Sequence, residues 1–332
     1  MLKRLEFDPQ WFLMALFFLI GLFIGALSLF LYFFNGNNLI TVEKIHPNRY
    51  RYQFINPLLA IDIAEKKEIL ENKMIGGNIE KFISDSKKSG GITNASVYYR
   101  DIEPGKWAVA NENFLFSPGK FIKLAIMMAY FKNAESNPEV LNQKVIFLGS
   151  VAPSALVKNK SYTVDELIRF MVNKDDDPAT ELLFDTIDTR FLNDVYSDLG
   201  IPFIEDKFTT DFLSLKQYSL LFRVLYNATY LNREYSEKAF EVLSQNLDPD
   251  GFTRGVGKGI PIVHRYRIRN ISLNNQTGYE SHTCGMVYYP DHPYLLCIMA
   301  IGFNSSKINS FFETISSFIY KQTETQHSGT GN

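Results

Sequence analysis

A few residues in this chain are of types that could do chemistry. Lys120 and Lys123 stand three residues apart at the head of Phe116–Tyr130, FSPGKFIKLAIMMAY, just after Ser117. A lysine acts covalently only when desolvation or neighbouring cations depress its pKa. Three consecutive carboxylates, Asp175, Asp176 and Asp177, precede Pro178. Clustered carboxylates suit hard cations, but the triplet lacks the alternating ligands and glycine of an EF-hand loop, so no metal site is expected. His264 and His282 could ligate a metal or serve as general bases; single histidines on strands are read here as structural.

The elements that position these groups follow from the pattern around them. Ser117 is placed to cap a helix and Pro118 to begin it. Phe121, Ile122, Leu124, Ala125, Met128 and Ala129 are too apolar for one narrow stripe, so this helix should be central and buried. Lys120 and Lys123 then share a face at its positive end, where cations are disfavoured and need a partner. Thr163-Val-Asp-Glu166 is a capping box opening a helix to about Asn173, and the aspartate triplet breaks it before a second helix over Ala179–Phe184.

Around these, a helix is expected from Ile61 to about Lys88, and strands over Ser96–Arg100 and Trp107–Ala110. Further helices are expected near Phe191–Leu199, Leu215–Leu231 and Glu234–Asn246. Strands follow over Ile260–Ile268, Thr283–Tyr289 and Tyr294–Phe303, then a closing helix, Ser306–Gln322. Strands grouped at both ends with helices between them give an α+β fold, an antiparallel sheet beside a helical subdomain.

The 332 residues are 46% apolar and carry a formal net charge of −2, which gives no support to nucleic-acid binding. Two cysteines, Cys284 and Cys297, exclude a disulfide scaffold; a single cross-strand disulfide or two buried thiols both fit. Trp11–Phe34 is uncharged and apolar. As a helix it spans about 36 Å, enough for the hydrocarbon core of a bilayer, and is expected to be an uncleaved membrane anchor. Lysines and arginines flank it almost evenly, so charge does not orient it. The organisation expected is a short segment 1–10, the anchor 11–34, a juxtamembrane stretch 35–60, a domain over 61–322 and a disordered tail 323–332.

The domain resembles the penicillin-recognising serine enzymes, which include class A β-lactamases, D,D-peptidases and penicillin-binding proteins. Their Ser-x-x-Lys motif, in a setting like F-x-P-A-S-x-x-K, aligns with Phe116-Ser117-Pro118-Gly119-Lys120-Phe121-Ile122-Lys123. Lys123 matches the family lysine, and Lys120 stands where the nucleophilic serine belongs. The Ser-Asp-Asn motif aligns with Asp175-Asp176-Asp177, between Met171-Val172 and Ala179-Thr-Glu-Leu-Leu183. The Lys-Thr-Gly motif has two candidates: Gln276-Thr277-Gly278 matches two of three letters in a turn-like setting, and Arg265, Tyr266 and Arg267 after Ile262-Val263-His264 have the better context. No counterpart of the class A deacylating glutamate is found. The resemblance covers roughly Ile61 to Gln322 and implies a β-lactamase/transpeptidase-like sheet flanked by N- and C-terminal helices, lying outside the cytoplasmic membrane.

Set against the family pattern, Lys120 and Arg267 each add a positive charge, and Asp175 and Asp177 each a negative one. The old cleft is therefore expected to hold a salt-bridge network linking Lys120 and Lys123 to Asp175 and Asp177, with Arg267 across the strand edge. The expected protein is a membrane-anchored, catalytically inactive homologue that binds or scaffolds at the envelope, on peptidoglycan or a partner protein, with no cofactor. The alternative is an active serine hydrolase on β-lactams or peptidoglycan peptides, using Ser117 of the shifted Ser-x-x-Lys match Ser117–Lys120.

Overall fold

The computed structural model describes residues 52–56, 71–102, 105–116, 122–201, 213–245 and 250–327, together with Gly21 and Gly25. The expected anchor (Gly21 and Gly25 aside), most of the juxtamembrane stretch, Ser117 and Lys120 lie outside the described residues. The chain divides into two units, Met1–Arg49 and Tyr50–Asn332. Among the described residues no helix is long and apolar enough to cross a membrane.

A five-stranded antiparallel sheet organises the second unit. Its strands are β1 (Asn94–Asp101), β2 (Trp107–Ala110), β7 (Ile262–Leu273), β8 (Gln276–Val287) and β9 (Tyr294–Gly302). They run in the order β2-β1-β9-β8-β7, which leaves β7 on one edge. The β7–β8 hairpin turns at Asn274 and Asn275, both with positive φ (51° and 61°), the geometry that matches strand twist in a two-residue loop.

Apolar side chains cover both faces of the sheet. On one face lie α1 (Lys73–Lys88) and α9 (Ser305–His327), which bury Ile75, Ile79 and Ile83 and Ile308, Phe312 and Ile315 against Val97, Tyr99 and Ile298. The other face carries the helical subdomain. It comprises α2 (Ile122–Ala134), α3 (Val164–Asn173), α4 (Asp177–Thr186), α5 (Thr189–Asp198), α6 (Leu215–Tyr226) and α7 (Arg233–Ser244). Every residue of α2 from Lys123 to Phe131 is buried, as an all-round apolar helix must be. Smaller pieces that pattern alone does not predict complete the unit: β3 (Leu115–Phe116) with β6 (Leu213–Ser214), the hairpin of β4 (Lys144–Phe147) and β5 (Lys160–Thr163), and the one-turn α8 (Gly251–Arg254).

The ends differ from expectation. The helix expected from Ile61 is described only from Lys73, capped by the Asn72 side chain. The closing helix continues to His327, so residues 323–327, expected in a disordered tail, are helical. Thr323 is buried there and its hydroxyl reaches Tyr99, which docks the last turns on the sheet. Residues 52–56 also pack on this unit: Glu237 of α7 accepts the backbone N–H groups of Gln53, Phe54 and Ile55 at 2.6–3.1 Å. The Tyr288 hydroxyl donates to Phe54 O at 2.7 Å.

Candidate functional site

The site forms where the head of α2, the turn between α3 and α4, and the edge strand β7 meet. α3 begins on the expected capping box, Thr163 with Glu166, and ends at Asn173. Asp175 then takes φ of 52°, a left-handed conformation that a short polar side chain tolerates. Asp176 caps α4 and Pro178 occupies its first turn. The reversal brings the Asp175 and Asp177 carboxylates together and turns Asp176 away from them.

Lys123 is fully buried, and its Nζ donates to Asp175 Oδ1 at 2.7 Å, Asp175 O at 2.8 Å and Asp177 Oδ1 at 2.9 Å. Three acceptors at these distances match the three donors of an ammonium. Asp175 is also the anion for β7. Alternation along the strand sends Arg265, Arg267 and Arg269 to the same face. Arg267 is ion-paired with Asp175 Oδ2. Arg265 is buried, donates to Val172 O at 3.0 Å and approaches Asp175 Oδ1 at 3.5 Å. One carboxylate therefore serves three cations, and Asp177, whose side chain is 45% exposed, supplies the second anion.

The surroundings are strongly desolvated. Burial pulls the Arg265 guanidinium below its ordinary value. His282 pairs across the sheet with Arg267 and meets the Tyr218 ring edge-on at 5.4 Å. Burial, reinforced by Arg265, Arg267 and Arg269, holds its imidazole well below the usual histidine range, so it is neutral at neutral pH. Burial pushes the Tyr218 hydroxyl up to about 12. Tyr218 and Arg269 do not stand out in the sequence, and Val172 enters there only as part of a motif's setting. Only the i, i+2 spacing of the arginines could have pointed to Arg269.

The other candidates go elsewhere. Asp176 turns away from the lysine: its carboxylate accepts Ala179 N at 2.9 Å, Ala155 N at 2.7 Å and the Ser154 hydroxyl at 2.8 Å. Tyr266 faces the opposite side of the sheet, where Asn309 of α9 donates to its hydroxyl at 3.3 Å. His264 stacks on Phe252 at 5.5 Å and lies 3.7 Å from Asp250. Among the described residues no group of three or more His, Cys, Asp or Glu side chains is arranged to hold a metal. Cys284 and Cys297, directly opposed on β8 and β9, form a disulfide with Cα atoms 3.9 Å apart.

As chemistry, the described part of the cluster is an ammonium, two carboxylates, two guanidinium groups, a neutral imidazole and a phenol. Within it the lysine Nζ donates hydrogen bonds to both carboxylates.

A sequence model described as the beta-lactamase enzyme family matches residues 78–323. No curated protein matches the chain. Among solved structures it is similar to PBP-A (18% identity, 77% of this chain and 98% of that one, TM-score 0.65). A point mutant of PBP-A is known as an acyl-enzyme complex with penicillin G. The TLA-1 extended-spectrum β-lactamase aligns at 15% identity over 76% of this chain and 98% of that one, TM-score 0.65. A class A β-lactamase from Bacteroides cellulosilyticus aligns at 14% identity over 76% and 99%, TM-score 0.65.

Proposed function

The chain belongs to the beta-lactamase enzyme family, and from that membership we propose a protein that keeps the fold of a serine hydrolase without its reaction. It is anchored in a membrane by Trp11–Phe34, with the β-lactamase-like unit on the extracytoplasmic side. There it binds or scaffolds, with peptidoglycan peptides or an envelope protein as the partner.

One observation carries this reading: Lys123, aligned with the family's catalytic lysine, is fully buried and donates to Asp175 and Asp177. Acyl transfer by this family needs a hydroxyl at the helix start and a nearby lysine able to take its proton. An ammonium held by two carboxylates is a poor acceptor of that proton. Lys120, in the serine's place, offers no hydroxyl. Arg267, where the family motif has glycine, spends its charge on Asp175 beside the strand edge that a substrate backbone would use. The Cys284–Cys297 disulfide fits an oxidising compartment, and so supports the extracytoplasmic placement.

The test is covalent labelling of the full chain with a fluorescent penicillin, alongside a penicillin-binding protein as positive control. No label is expected. Labelling that disappears in Ser117→Ala would overturn the proposal and establish the alternative, an active hydrolase.

A further inference from the structure

The loop between β4 and β5 exposes an apolar surface that the Lys123–Asp175 cluster does not use. Of the seven large apolar side chains most exposed among the described residues, four lie within it or beside it: Ile146 (56% exposed), Leu148 (71%), Val157 (60%) and the fully exposed Val151. The fold holds them outward. Asp176 grips Ser154 and Ala155, Leu156 is buried, Val157 N donates to the Tyr162 hydroxyl at 2.8 Å, and Asn159 N donates to Phe147 O at 2.6 Å.

Charge completes the surface. Lys144, Lys158 and Lys160 are exposed beside these side chains, and residues 143–163 contain no aspartate or glutamate. Nearby acids are already engaged: Asp165 with Arg169 and Lys238, Glu166 in its capping box. Aliphatic side chains interleaved with lysines, with neither tryptophan nor arginine in 143–163, do not resemble the core of a protein–protein interface, where lysine is depleted and Trp, Tyr and Arg dominate. They match a surface that dips into a bilayer while its cations meet anionic headgroups.

We propose that the β4–β5 loop is a second membrane contact, selective for anionic lipid. It rests on the proposed membrane anchor, because residues 35–51 reach at most roughly 61 Å and so keep the domain near the bilayer. The two contacts would act together, since tethering raises the effective concentration of a weak second site.

The test uses the full chain with Val151→Cys carrying an environment-sensitive fluorophore; the native cysteines are buried in their disulfide and do not compete. It is placed in lipid discs of phosphatidylcholine with or without phosphatidylglycerol. Expected is a blue shift and a several-fold loss of quenching by acrylamide only with phosphatidylglycerol. The same probe at Lys81→Cys, exposed on α1, should stay wet, and Lys144→Gln/Lys158→Gln/Lys160→Gln should abolish the shift at position 151. Equal quenching in both lipids overturns the proposal, as does a dry probe that survives the triple substitution. Drying in lipid-free detergent that grows with protein concentration overturns it in favour of a second copy of the chain. Retention on vesicles through an alkaline wash reports the anchor separately. If the chain washes off, the probe is read with excess anionic vesicles, where a wet probe sinks the loop contact and a dry one sustains it.

Discussion

At the scale of residues, Asp175 decides the site. It answers Lys123, Arg265 and Arg267, of which the first two are almost wholly buried. Removing its charge strands cations that cannot reach water, whereas Asp177 is half exposed. Asp175→Asn keeps the side-chain shape and the left-handed backbone, and is expected to cost about 3 kcal/mol in denaturant unfolding. Asp177→Asn should cost less than about 1 kcal/mol. Equal costs would mean that Asp175 is not the shared anion. His282 predicts a pH dependence. Its folded-state pKa lies below the ordinary 6.5, so the unfolded chain binds the proton more readily. Its contribution is complete above that value, and stability falls as pH drops below it, by at most about 1.4 kcal/mol per pH unit. His282→Gln should flatten melting temperature against pH between neutrality and the onset of carboxylate titration; an unchanged slope would place the effect elsewhere.

At the scale of elements, polar side chains set where segments begin and dock. Asp176 caps α4 and ties down the β4–β5 loop with one carboxylate. The capping role is consistent with its place in the sequence, beside Pro178; the loop partners, some twenty residues upstream, are not legible there. Glu237 likewise holds three backbone N–H groups of residues 53–55. Glu237→Ala should speed hydrogen exchange at Gln53–Ile55 and leave the core of α7 protected. Unchanged exchange would mean that the Tyr288 hydroxyl and ring packing suffice to hold the segment. The glycines approaching β7 have a packing role: a Cβ on Gly255 would come within 2.6 Å of the Ser316 Cβ, so α8 can lie against α9 only with glycine there.

At the scale of the whole molecule, a sheet with helices on both faces joins residues more than fifty positions apart, Lys123 with Asp175 and Asp177. The disulfide sits inside this body with both cysteines fully buried. Denatured without reductant, the chain should resist alkylation at both cysteines, and after reduction it should take up an alkyl group at each. Alkylation before reduction would show that the thiols are free.

The sequence by itself determined the element types and most of their order, because periodicity, capping boxes and turn residues are local signals. It also carried the family resemblance, since the motif settings that suggest it are short and contiguous. Tertiary structure decided what the motif residues do. Alternation along β7 turned Tyr266 away and brought Arg265 and Arg267 onto Asp175. A left-handed turn separated the roles of three adjacent aspartates. Burial made the charge pairing of Lys123 obligatory, because an ammonium taken out of water must find anions wherever the fold has put them.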